Sequence, residues 1–141
     1  MATFNKFQSF VTAMAAGTHA NALNADTDVL KVYLTNVAPD AAADSVFADL
    51  AEIAAGNGYT AGGEDAQNAA SASGGTITVV GTDVTWLAAA GAIAQFRYVV
   101  LYNSTAASGP LIGWWDNGAT VDLAAGDSFK ADFGASLFTV V

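Results

Sequence analysis

The sequence predicts a mostly β protein: an antiparallel β-sandwich or jelly-roll-like domain over residues 29–141, preceded by a short helical arm and linker over residues 1–28. Three observations predict it. After residue 75 the chain breaks into short β-rich runs, each bounded by Gly, Asn, Ser or Pro. Their spacing, roughly 8–12 residues with no room for crossover helices, is that of a sandwich or barrel rather than of βαβ units. Within the runs, apolar residues alternate with polar ones, as strands with one face on a core require.

The elements follow in chain order. Phe4, Phe7, Phe10, Val11 and Met14 recur at three- and four-residue spacing, which predicts one apolar face of a short helix ending near Gly17. The small, polar stretch from Thr18 to Asp28 reads as a linker. Val29–Leu34 is the first strand, closed by Asn36 and Pro39. Residues 41–53 fit a helical turn or a strand over Leu50–Ile53 equally well. Gly56 to Gly75 is rich in Gly, Ala and Ser and predicts irregular backbone. The strand candidates are then Thr76–Val80, Asp83–Trp86, Ile93–Tyr102, Leu111–Trp115, Thr120–Leu123, Ser128–Phe133 and Leu137–Val141. Both faces of Phe96–Tyr102 carry apolar bulk, so this strand is expected to be central. Ala125-Gly126-Asp127 is expected to close a hairpin between the two strands that flank it.

Composition narrows the function. Of 141 residues 53% are hydrophobic, but 32 are alanine, and the whole should bury roughly two-thirds of its unfolded surface, enough for one cooperative domain. Four basic residues stand against thirteen acidic ones for a net charge of -9. Lys6, Lys31, Arg97 and Lys130 are scattered, so neither the phosphates of nucleic acid nor an anionic membrane surface has a clustered basic partner here. There is no cysteine, which excludes disulfides and thiolate zinc sites. Phe10–Gly17 is shorter than the about 20 apolar residues that span a bilayer. Gln8, Ser9 and Thr12 interrupt any signal-peptide core, and the chain is expected to be made and kept without export.

No catalytic, cofactor or metal constellation emerges from the sequence. His19, the only histidine, sits in a Gly-Thr-His-Ala-Asn context that reads as a solvated loop. Glu52 and Glu64 are the only glutamates, and aspartates such as Asp26, Asp28 and Asp127 lie in turn sequences where the side chain accepts local backbone hydrogen bonds. Asp26 with Asp28, or Glu64 with Asp65, offers oxygen ligands, but no twelve-residue calcium loop surrounds either pair. Gly56-Asn57-Gly58-Tyr59 lacks the Lys-Ser/Thr of a phosphate loop and reads as a tight turn presenting Tyr59. Trp114 and Trp115 must point to opposite faces of their strand, so one belongs to the core and the other to a binding or subunit surface.

Several segments taken in order resemble a family of small accessory structural proteins of tailed bacteriophages. They are Leu30–Asn36, Glu52–Gly63, Phe96–Asn103, Pro110–Asp116 and Phe129–Phe133, with the Phe-spaced N-terminal segment before them. The resemblance implies a virion component, a capsid decoration (cement) protein on the outside of the head. Its partners would be the major capsid protein or other virion subunits, and it brings no catalytic residues and no cofactor. The alternative is a tail- or vertex-associated carbohydrate- or receptor-binding module. Low charge suits a repeated packing subunit, because it lowers the desolvation cost of a large interface. An oligomer is expected, with Phe4, Phe7, Phe10, Met14, Tyr59 and Trp115 at the partner interface. The arm would dock on a neighbour, since its linker of about ten residues, at roughly 3.3 Å each, reaches another chain.

Overall fold

The computed structural model describes residues 2–19 and 28–141. Among the described residues, ten strands and one α-helix form an antiparallel, sandwich-like arrangement. In chain order they are β1 (Phe4–Lys6), α1 (Gln8–Ala15), β2 (Leu30–Thr35), β3 (Glu64–Asp65), β4 (Ala69–Ser73), β5 (Thr76–Val80), β6 (Val84–Leu87), β7 (Ile93–Asn103), β8 (Leu111–Leu123), β9 (Ser128–Ala131) and β10 (Phe138–Val140). A five-stranded sheet has the order β1-β8-β7-β2-β3, a three-stranded sheet the order β10-β5-β4, and β6 pairs with β9.

The apolar face-to-face character of Phe96–Tyr102 places β7 where the sequence predicts, between β8 and β2 in the middle of the large sheet. Val99, Val100 and Leu101 are all buried, so along its C-terminal half neither face of the strand meets water. On one face Trp115 packs against Phe133 and Phe4 stacks on Phe138, which joins the large sheet to the small ones. On the other, Phe47 covers Tyr33 and Tyr102, and Phe7 covers Trp114.

The N-terminal segment differs most from the sequence reading. Its backbone over Phe4–Lys6 is a strand, with Phe4 opposite Trp115 and Lys6 opposite Gly113, and the helix starts only at Gln8. Phe7 and Phe10 are buried in the core, and Phe4 and Met14 pack against it. The segment is therefore an inner part of the β domain and not an arm held out for a neighbour. Burying a phenylalanine contributes about 2–3 kcal/mol, and its own sheet is the nearest apolar surface available to do so. Gly113 makes the docking steric: a Cβ there would run into the Phe4 ring and the Asn5 carbonyl. The helix stops as expected, at Gly17 with φ +78°. Most of the expected linker, residues 20–27, lies outside the described residues, including Asp26.

Further differences are local. The ambiguous stretch 41–53 contains one 3₁₀ turn, Phe47–Asp49, and a bridge between Glu52 and Thr35. Asp49 accepts the Ser45 and Val46 N–H groups at 2.8 and 3.0 Å, which holds that turn and keeps its carboxyl below the usual range. The Gly56–Gly75 region, expected to be irregular, contains β3 and β4. The candidates Leu111–Trp115 and Thr120–Leu123 are one strand, β8, bulged against β7. Residues 124–127 do turn, with Asp127 N–H bonded to the Ala124 carbonyl, but β8 and β9 do not pair: β9 turns away to β6.

Candidate functional site

Among the described residues, two larger concave regions and one buried polar cluster are places where chemistry could reside; a smaller hollow of about 250 Å³ lies between α1 and the C-terminal residues 139–141. The larger groove, about 700 Å³, lies between the 3₁₀ turn and Tyr102, and among the described residues Glu52 is its only carboxylate. The tight turn Gly56–Tyr59 swings Tyr59 inward beneath it. The Tyr59 hydroxyl donates to Glu52 Oε2 at 2.8 Å and accepts the Leu34 N–H at 3.3 Å, while Gly62 N–H donates to the same carboxylate oxygen at 2.9 Å. Tyr102 Oη then donates to the Gly62 carbonyl at 2.7 Å. Burial pushes both the Tyr59 and Tyr102 phenols up, with Glu52 adding to each, so they stay protonated and act as hydrogen-bond donors. Glu52 is thus a tie between β2 and the Tyr59–Gly63 loop. A glycosidic mechanism needs a second carboxylate facing it, and among the described residues none lines this groove.

The second concavity, about 540 Å³, is lined by Phe4, Trp115, Phe133 and Phe138, with Asp132 as its carboxylate. Asp132, expected on the solvent face of the strand candidate Ser128–Phe133, lies just past the end of β9 and accepts the Gly134 N–H at 2.9 Å in a turn. Asp40, Asp65, Asp116 and Asp127 do likewise for backbone N–H groups two or three residues away. Arg97 grips Asp116 with Nε and Nη2 at 2.8 and 3.0 Å, and Lys130 meets Asp83 at 2.9 Å. These pairs hold both aspartates below the usual carboxylate range and tie β7 to β8 and β6 to β9.

His19 corrects the sequence reading outright. It is fully buried beside the Phe10 ring, with Nδ1 3.3 Å from Asn103 Nδ2. The same Asn103 amide donates to Asp28 Oδ2 at 2.9 Å. Since Nδ2 is a donor, His19 Nδ1 is the acceptor and the ring is neutral; burial pushes its pKa down and Asp28 opposes that. The cluster fastens the end of the N-terminal segment to the end of β7.

Of the six expected interface residues, four, Phe7, Phe10, Tyr59 and Trp115, are buried and two, Phe4 and Met14, are half-buried. Phe4 has its ring centroid 5.2 Å from Trp115 and 5.6 Å from Phe138, Phe10 meets the same Phe138 at 5.4 Å, and Tyr59 stays at the Glu52 tie. Trp115 proves to be the core member of its pair, while Trp114 is half-buried with Phe7 at 4.6 Å. Strand alternation required the split but carries no sign of which tryptophan lies inside. Among the described residues, no group of three or more His, Asp or Glu side chains is placed to hold a metal ion, and no helix is long and apolar enough to cross a membrane. Glu64 and Asp65 sit on β3 opposite Val32 and Lys31.

Compared with known proteins, the chain matches no family model, no curated protein and no solved structure.

Proposed function

We propose that the chain is a structural protein of a tailed-bacteriophage virion, a capsid decoration (cement) protein that binds the outside of the head and stabilises contacts between shell subunits. The observation that carries this reading is where the resembling segments lie. Leu30–Asn36, Phe96–Asn103 and Pro110–Asp116 fall on β2, β7 and β8, three neighbours in one sheet, and Glu52–Gly63 closes against β2. Three of the five resembling segments thus share one sheet, while Phe129–Phe133 runs along β9 beside β6. Support also comes from Glu52, Asp83, Asp116 and His19, which are engaged in ties and ion pairs that brace the fold.

The reading has a direct consequence for particles. Those purified from the producing culture should contain the chain in a fixed ratio to the shell subunit, and particles lacking it should rupture at a lower temperature. Particles without the chain, or particles whose heat stability ignores its removal, would overturn the proposal. A chain found at a few copies per particle, with a measurable affinity for host glycans, would favour the tail- or vertex-associated binding module instead.

A further inference from the structure

The three-stranded sheet is chemically unlike the rest of the molecule. No charged residue occurs in β4, β5 or β10, and none occurs anywhere from Ala66 to Thr82, in a chain whose net charge is -9. Direct pairing puts Ser71 beside Thr78 and Thr78 beside Thr139, and Ser73 beside Thr76, so the outward face is a field of hydroxyl groups. The inward face carries Ala70, Ile77 and Val79 against the core.

At the margin of this sheet lies β4, the longest of the edge strands and, apart from Ala70, exposed along its length. Open edges invite pairing with other chains, and proteins normally blunt them with charge, proline or bulges. The edges of the large sheet follow that rule, with Lys6 in β1 and Glu64 and Asp65 in β3. On β4 there is none of these devices, and its register with β5 runs unbroken over five residues. Among the described residues no strand covers its outer side.

Hairpin geometry says which backbone groups are free. Gly74 and Gly75 form a two-residue loop with φ +58° and +80°, the type I′ pattern, in which the flanking residues Ser73 and Thr76 are a hydrogen-bonded pair. Alternation then makes Ser71 and Ala69 face β5 as well, and leaves the N–H and C=O groups of Ala70 and Ala72 pointing out from the edge.

We infer that β4 is the contact through which two copies of this chain pair, antiparallel about a two-fold axis at Ser71, to make a continuous six-stranded sheet. In that register Ala70 meets Ala72 of the second copy, and Ala72 meets its Ala70. Each of these pairs exchanges two backbone hydrogen bonds, so all four free groups on each strand find partners. Ser71 faces its own counterpart in the close, non-hydrogen-bonded position, where only a small side chain fits comfortably. The occupant is a second copy because the strand complements itself: every position meets alanine or serine, so no side chain obstructs the approach. Two molecules of charge -9 repel one another over most of their surface, and this uncharged sheet is where that repulsion is weakest. A different, basic partner would be recognised by acidic side chains, and this sheet has none. The inference rests on the geometry of this edge and stands apart from the virion reading.

Sedimentation equilibrium of the full chain over a concentration series tests it, with three variants. Ser71→Lys sets two like charges against each other at the axis, and Ala72→Pro removes an outward N–H without touching the β4–β5 ladder. Ala119→Lys, on an exposed part of β8, makes the same charge change elsewhere. The wild-type chain and Ala119→Lys should form dimers with the same affinity, and Ser71→Lys and Ala72→Pro should each weaken the dimer by about tenfold or more. The direction is diagnostic, because added lysine lowers the overall negative charge and would strengthen any non-specific association. A wild-type chain that stays monomeric up to about millimolar concentration, or dimers that ignore both β4 substitutions, would overturn the inference. Circular dichroism of each variant confirms that a lost dimer is not a lost fold, and either β4 variant alone suffices if the other fails to fold.

Discussion

Phe4 lies directly opposite Trp115 in the register of β1 on β8, and their rings are 5.2 Å apart. Phe138 stacks on the other side of Phe4 at 5.6 Å, so one phenylalanine near the start of the chain touches both the large sheet and the small one. Phe7 and Phe10 extend the contact, to Trp114 and to Phe138. The N-terminal segment works as a clasp between sheets.

A clasp of this kind should be costly to cut. Phe7 is fully buried, and Phe7→Ala should lose about 3–5 kcal/mol of unfolding free energy, as large-to-small changes in packed cores do. Urea unfolding followed by tryptophan fluorescence measures it. A loss below about 1 kcal/mol would mean that the segment is dispensable to the fold.

Gly113 and Phe4 should be energetically coupled. Gly113→Ala pushes a methyl group against the Phe4 ring and the Asn5 carbonyl, an overpacking that costs about 1–3 kcal/mol. Shortening Phe4 to Ala removes one of the two obstacles, so the double variant should lose less than the sum of the single ones. Strict additivity in a denaturation cycle would place Phe4 away from Gly113.

Glu52 should matter for stability. Replacing it by Ala strands the Tyr59 hydroxyl and the Gly62 N–H, an expected loss of about 1–3 kcal/mol. Glu52→Gln keeps an acceptor oxygen and should lose less. The order of the two midpoints in denaturant checks this, and equal losses would show that charge matters more than the hydrogen bonds.

Acid should act in two separate windows. The folded state depresses the His19 pKa below its ordinary 6.5, so between the two values the unfolded chain binds the extra proton. Stability is then full above about 6.5 and declines as the pH falls through the depressed value. Asp49, Asp83 and Asp116 are also depressed, from 3.8, and their contribution disappears only at lower pH, as each protonates in the folded state. Thermal midpoints from pH 8 to pH 3 should show both declines, and His19→Gln should abolish only the first. A first decline that persists in that variant would assign it to another group.

The sequence made the large sheet legible and left its clasp obscure, for physical reasons. Leu30–Leu34 and Phe96–Tyr102 are dense in β-branched and aromatic residues, and doubly apolar faces identify a central strand without further information. β4 reads Ala-Ala-Ser-Ala-Ser, a sequence with no strand propensity of its own; it is a strand because the Gly74–Gly75 turn folds it back on β5. Phe4, Phe7 and Phe10 fit a helical period, yet the first lies in a strand whose pairing partner is more than a hundred residues away. Burial of Tyr59, His19 and Trp115 likewise depends on distant chain, and local context favours exposure for the first two.

The central claim, that this fold is a decoration subunit on a phage head, is tested most directly by a density map of the intact particle. The account predicts density for this sandwich-like fold on the outer surface at junctions between shell subunits, with Phe4, Phe7 and Phe10 enclosed in its own core. Density confined to the tail, or a particle map with no place for the chain, would contradict it.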